Sequence, residues 1–157
     1  MRIGLGFDAH RLAPGRPLVL AGVTIPADVG LLGHSDADVV THALMDALLG
    51  ALALGDIGRH FPDTDERYRG ISSMELLRRV LEWVEERGYR VGNVDVMVMA
   101  ERPRLAPHRH DMLHLLAREL KVPEDCVSIK ATTMEGMGFV GRGEGIAAQA
   151  VALLLAR

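Results

Sequence analysis

The sequence predicts a mixed fold of strands and helices in one domain, and three observations carry that prediction. Apolar residues alternate with period two over Met1–His10, Val91–Ala100 and Cys126–Ala131, the pattern of half-buried strands. They recur at helical spacing over Asp36–Leu54 and Ser72–Gly88, each run opened by a serine suited to cap a helix. A chain of 157 residues that is 48% hydrophobic fits a single core. With 18 basic against 21 acidic residues the surface has no dominant sign, which disfavours nucleic acid or an anionic membrane as partner and favours a small polar substrate. The lone Cys126 can form no intrachain disulfide, and its apolar surroundings suggest a buried thiol in a reducing compartment. No leader or membrane segment is visible, so the expected location is cytoplasmic.

Taken in order, Met1–His10 places Ile3, Leu5 and Phe7 on one side of a strand. Residues two apart point the same way, so Asp8 and His10 present a carboxylate and an imidazole to one spot, unless they are simply a solvated strand end. Pro14–Pro26 holds two short apolar runs and reads as a hairpin. The central helix follows, with Ser35 as N-cap and Asp38 completing a pair close to a capping box. Val40, Leu44, Ala47, Leu48 and Ala51 form its one buried face, and Gly55 its stop. Its N-terminus, beside His34 and Ser35, is a candidate phosphate site because free N–H groups and the helix dipole attract an anion. His42 lies one turn from both Asp38 and Asp46, so those carboxylates either hold the ring of a metal ligand or form a polar stripe with it. With Asp8 and His10, His42 would complete a site of two histidines and one carboxylate with an open position.

Gly55–Gly58 is a backbone-rich turn, either an ordinary helix exit capped by Asp56 or a place where a ligand approaches closely. Phe61–Asp65 is a loop, and Ser72–Glu75 opens a second helix that buries Leu76, Leu77, Val80, Leu81 and Val84. After the strand Val91–Ala100 and the loop Glu101–Pro107, a third helix runs over His108–Leu120. Its His108, His110 and His114 have no carboxylate or cysteine cluster at suitable spacing and are expected to face solvent. Thr132–Gly145 is glycine-rich and carries Glu135, Arg142 and Glu144, a composition suited to phosphates and cations or to a flexible loop. The last segment, GIAAQAVALLLAR, is helical by composition and a strand by alternation, and propensity does not decide between them.

Assembled, these residues resemble the 2-C-methyl-D-erythritol 2,4-cyclodiphosphate synthase family of the non-mevalonate isoprenoid pathway. The resemblance runs essentially end to end, through GFDAH from Gly6, HSDADVVTHALMDALLGALALGDIG from His34, FPDTD from Phe61, GNVDV from Gly92 and KATTMEGMGFVGRGEGIA from Lys130. It implies an α+β subunit with a mainly antiparallel four-stranded sheet, ferredoxin-like, with helices on one face. It also implies a C-terminal strand and a homotrimer around a central axis, with active sites between subunits.

The resemblance further implies zinc at Asp8, His10 and His42, and Mg²⁺ or Mn²⁺ at Glu135. It gives His34 and Thr133 the role of stabilising the transition state. Substrate contacts fall to Asp8, His10, His34, Ser35, Asp56, Ile57, Gly58, Phe61, Pro62, Asp63, Thr64, Asp65, Thr133, Met134, Glu135, Phe139 and Arg142. A wall around cytidine comprises Ala100, Glu101, Arg102, Pro103, Arg104, Leu105 and Ala106 together with Thr132. Two positions depart from the pattern: Arg104 stands where lysine is common, and Gln149 where some members carry an acidic residue near the trimer axis. The implied chemistry is attack by the substrate's own 2-phosphate on its β-phosphorus with release of CMP. A metal-dependent phosphohydrolase, a mononuclear iron site and a non-catalytic nucleotide-binding trimer are the competing readings.

Overall fold

The computed structural model describes residues Met1–Arg157. Strands are β1 (Arg2–Pro14), β2 (Leu18–Leu20), β3 (Val23–Ile25), β4 (Val29–Leu31), β5 (Tyr89–Met99), β6 (Val127–Thr132) and β7 (Gly145–Ala156). Helices are α1 (Val39–Ala51), α2 (Ile57–His60), α3 (Ser73–Glu86), α4 (Arg109–Leu120) and α5 (Gly138–Gly141). The main sheet has five strands in the order β4-β1-β7-β5-β6, antiparallel except for the parallel pair β5·β6. The expected four strands are therefore joined by a fifth, the short β4, whose three residues are too few to show an alternation of their own. β2 and β3 form the expected hairpin as a separate ribbon.

The C-terminal segment is a strand. β7 lies between β1 and β5 and pairs with both along nearly its whole length. A chain of Ala, Val and Leu with both edges paired has every backbone group satisfied by its neighbours, which outweighs a small helical preference.

α1 differs from its expected form. It starts three residues late, and its N-cap is Asp38, whose carboxylate accepts from Thr41 N–H and Thr41 Oγ1 and from the N–H groups of Ala21 and Gly22. Ser35 is drawn elsewhere and accepts from Ala37 N–H. The helix is also buried all round, because Val39, Ala43, Met45 and Leu49, on the faces expected to be free, are apolar too and meet other elements. One side lies on β1 and β7, and α3 covers another. α3 keeps its expected start, with Ser72 accepting from Met74 N–H.

The contact between α1 and β1 has no room for side chains. A Cβ at Gly4 would stand 1.9 Å from Ala47 O, and one at Gly6 1.9 Å from Ala43 O. β1 thus turns its glycines, then Asp8 and His10, toward the helix, and Ile3, Leu5 and Phe7 away from it into exposed positions. β1 does not end at His10 as expected but runs on to Pro14, where it pairs with β4, and its bare backbone lets α1 come close enough for His42 to reach the middle of the strand.

Candidate metal centre and its cleft

Asp8 and His10 leave β1 on the same side, as their spacing requires, and His42 comes down from the first turns of α1. Asp8 Oδ2 lies 2.8 Å from His10 Nε2 and 3.0 Å from His42 Nδ1, and the two ring nitrogens are 3.1 Å apart. His10 Nδ1 lies 2.8 Å from Leu32 O. A carbonyl only accepts, so Nδ1 carries the hydrogen and the lone pair on Nε2 of the neutral ring faces the Asp8 carboxylate. Two acceptors cannot face each other at this distance without a cation between them, either a proton or a metal. One carboxylate oxygen and two imidazole nitrogens that converge with an open side form a donor set suited to zinc.

Burial by itself would raise the Asp8 carboxyl, but hydrogen bonds and charge from His10 and His42 outweigh it and hold the group well below the usual carboxylate range. Burial likewise pulls His10 down, and the Asp8 carboxylate wins and raises it. Both shifts mark a place that attracts positive charge.

The cleft over this cluster, about 390 Å³, is lined by Gly33, His34, Ser35, Ile57, Gly58, Phe61, Pro62 and Asp63 beside the three donors. His34 Nε2–H donates to Asp65 O at 2.9 Å. Phe61 stacks on Trp83 with ring centroids 5.7 Å apart, which fixes the far wall. Asp56 caps α2 by accepting from Arg59 N–H, and Asp65 pairs with Arg67, so neither carboxylate stands free. Thr64 is exposed on the loop.

The remaining sequence-predicted residues lie elsewhere. Glu101, Arg102, Pro103, Arg104 and Arg142 line a second cleft of about 860 Å³. Ala100 and Leu105 are buried, and Ala106 opens the turn that leads into α4. Thr132 ends β6, with Thr133, Met134 and Glu135 just beyond. Met134 N–H donates to Glu101, which ties the two loops together, and Thr133 Oγ1 donates to Glu135 within its own loop. Phe139 is partly exposed, and Arg142 is paired with Glu144. Register sets the distance between the two groups: Asp8 pairs with Ala148, Ala148 with Val98, and Val98 with Ala131. Three strand spacings of about 4.8 Å put roughly 14 Å between Asp8 and the β6 end. Within one chain, Glu135 does not meet the Asp8 cluster.

Several expectations change. The N-terminus of α1 is filled by the protein's own Asp38, fully buried, and not left open for phosphate. Asp38 and Asp46 do not support His42: Asp38 is spent on its cap and the hairpin, and Asp46 accepts from Ile57 N–H. The partners of His42 are Ser73 Oγ at 2.9 Å and Ser35 Oγ at 3.2 Å. Ser73 in turn bonds Asp36, and neither of these two residues was a sequence candidate. No spacing signal connects them to His42, because Ser73 arrives from α3 and its contact is purely tertiary. Cys126 is half-buried, at the turn before β6, and not a core thiol. His110 and His114 are exposed, and Glu124 joins His114 at 2.7 Å on the surface.

A model of the YgbB family matches residues 1–155. The chain is 62% identical to 2-C-methyl-D-erythritol 2,4-cyclodiphosphate synthase of Desulfitobacterium hafniense strain DSM 10664 / DCB-2, over 99% of this chain and 98% of that protein. It is also 62% identical to the synthase of Methylococcus capsulatus, over 99% of each. Among solved structures it resembles a CDP-bound 2C-methyl-D-erythritol-2,4-cyclodiphosphate synthase, with a TM-score of 0.91 and 45% identity over 98% of this chain and 100% of that one. It also resembles the bifunctional IspDF of Campylobacter jejuni, with a TM-score of 0.95 and 44% identity over 99% of this chain but only 42% of that longer protein. Converging donors in the middle of β1, one mostly antiparallel sheet and a match along nearly every residue agree: the chain belongs to the YgbB family.

Proposed function

We propose that the chain converts 4-diphosphocytidyl-2-C-methyl-D-erythritol 2-phosphate into 2-C-methyl-D-erythritol 2,4-cyclodiphosphate and CMP, a lyase reaction of isoprenoid precursor synthesis. The observation that carries this reading is the convergence of Asp8 Oδ2, His10 Nε2 and His42 Nδ1 at the mouth of an open cleft. The substrate class comes from relatives 62% identical over nearly the full length.

The subunit, a single catalytic unit over residues 1–157 with a ferredoxin-like arrangement, works as a cytoplasmic homotrimer. Two features support the assembly. The cluster around Asp8 and the β6 end that leads to Glu135 are about 14 Å apart in one chain, too far for cations held at both to act on one diphosphate. The sheet face opposite the helices exposes Ile3, Leu5 and Phe7 in a row. Packing that face against neighbours gives each site its metal half from one subunit and its nucleotide half from the next.

Asp8, His10 and His42 would hold zinc, and Glu135 would hold Mg²⁺ or Mn²⁺. When bound, these cations polarise the β-phosphate and offset the negative charge of the diphosphate. The protein supplies no nucleophile. An oxygen of the 2-phosphate forms the new bond to the β-phosphorus, the bond from that phosphorus to the bridging oxygen breaks, and CMP leaves with the electron pair. The walls at Ile57, Gly58 and Phe61 and the loop of residues 100–106 fold the substrate so that the two phosphates meet. Such positioning contributes up to roughly 7–11 kcal/mol. His34, fixed through Asp65 O, and Thr133 hold the charge that develops on the transferring group.

The test is incubation of purified protein with the cytidyl substrate, with and without chelator, followed by mass identification of products. Cyclic diphosphate and CMP are expected, lost on chelation and restored by zinc together with Mg²⁺ or Mn²⁺. A linear hydrolysed product would make the chain a phosphohydrolase, and tight binding without CMP release would make it a binding module.

A further inference from the structure

We propose that Asp36 and Ser73 are positioning residues that decide which nitrogen of His42 carries its hydrogen, and thereby aim the Nδ1 lone pair at the metal. The inference rests on the metal reading of the Asp8 cluster. In this pose His42 can coordinate a cation through Nδ1 only as the neutral ring with hydrogen on Nε2. Nε2 faces Ser73 Oγ at 2.9 Å, but a serine hydroxyl can donate or accept, so Ser73 alone imposes neither tautomer.

Asp36 removes the choice. Its carboxylate bonds Ser73 Oγ through Oδ1 and accepts Ser73 N–H through Oδ2 at 3.0 Å, while Oδ1 also accepts Asp38 N–H at 3.2 Å. An ionised carboxylate has no hydrogen to give, so the Ser73 hydroxyl donates to Asp36 and is left as an acceptor toward His42. The ring then donates Nε2–H to Ser73 and turns the bare Nδ1 toward the point between it, Asp8 Oδ2 and His10 Nε2 where a cation would sit. Ser73 is fully buried, so no water competes for its hydrogen. Ser35 Oγ, 3.2 Å from Nε2, accepts Ala37 N–H and keeps its own hydrogen free to go either way, so it cannot substitute. Asp36 therefore acts on the metal site through Ser73.

This chain of donors makes a prediction that simple packing does not. In Asp36→Asn the carboxamide oxygen keeps the shorter bond from Ser73 N–H, and its NH₂ takes the place of Oδ1 and donates to Ser73 Oγ. The Ser73 hydrogen is then sent to His42 Nε2, and the ring hydrogen moves to Nδ1, where the metal belongs. Zinc affinity, measured by chelator competition, is expected to fall roughly 10–100-fold. Ser73→Ala, which frees the ring without reversing it, is expected to cost less although Ser73 is the nearer residue. Adding Asp36→Asn to Ser73→Ala is expected to change little. Unchanged affinity in Asp36→Asn, or losses that simply add in the double variant, would overturn the proposal. A tautomer measurement does not depend on zinc: in ¹⁵N spectra of the metal-free chain, where the Asp8 carboxylate competes for a hydrogen on Nδ1, folded Asp36→Asn is expected to carry less of the neutral His42 hydrogen on Nε2 than the unaltered protein, and an unchanged share would overturn the proposal. Failure of the unaltered protein to bind zinc would instead sink the metal reading and leave the tautomer result standing.

Discussion

At the scale of single residues, His10 sets the conditions under which a metal can enter. Its pKa stands above the ordinary 6.5, because the Asp8 bond and charge outweigh burial. The sign follows: below that raised value the ring holds a proton that a metal must expel. Zinc affinity is expected to climb as pH rises through the His10 value and then level off. The protonated ring also stabilises the metal-free fold, fully below 6.5 and progressively less as pH rises through the folded value. Calorimetric zinc titrations between roughly pH 6 and 8 check the first, and melting of chelated protein over the same range checks the second. A flat affinity would contradict the assignment. Glu135 is exposed, left-handed at φ 53°, and its carboxylate accepts a hydrogen bond from Thr133 Oγ1. Glu135→Ala is therefore expected to leave the melting temperature unchanged while raising the Mg²⁺ or Mn²⁺ concentration required for turnover by roughly tenfold or more. An unchanged metal titration would sink that role.

At the scale of elements, the α1·β1 contact decides whether the cluster forms at all. Gly6→Ala would put a methyl group against Ala43 O, in backbone that cannot swing aside, and force the helix off the strand. A loss of about 1–3 kcal/mol is expected from overpacking alone. Because His42 rides on that helix, weaker zinc binding should accompany the lower melting temperature, and a destabilised variant with normal zinc affinity would refute this coupling. The same contact shows what the sequence could and could not convey. The D-x-H pair and its common direction were legible, since strand periodicity fixes it without knowledge of neighbours. α3 was legible through Ser72 and a clean apolar stripe. The cap of α1 was not, because Ser35 and Asp38 are both good caps and the hairpin N–H groups of Ala21 and Gly22 select Asp38. Nor was Asp36 or Ser73, whose partnership spans 37 positions and exists only once α3 docks.

At the scale of the whole molecule, one sheet face is covered by helices and the other is not. Ile3, Leu5 and Phe7 are 70%, 60% and 56% exposed, and Phe7 pairs with Gln149 of β7. The apolar row is too continuous for a surface meant to remain in water. Phe7→Asp is expected to yield folded single subunits by sedimentation, with little turnover, and an intact trimer would count against the proposed packing. The side on which Ile3, Leu5 and Phe7 fall was readable from their alternation. That this side faces outward was not, because the glycines opposite look like a poor core until a helix backbone is seen to occupy their place.

The register that separates Asp8 from Ala131 by three strand spacings has one more consequence. If the catalytic ensemble is shared, damage to one share can be repaired by a companion. Chains carrying His42→Ala, inert alone, and chains carrying Glu135→Ala, nearly inactive alone at limiting Mg²⁺ or Mn²⁺, should regain activity under that limiting condition when unfolded and reassembled together, with roughly one junction in four receiving both sound contributions.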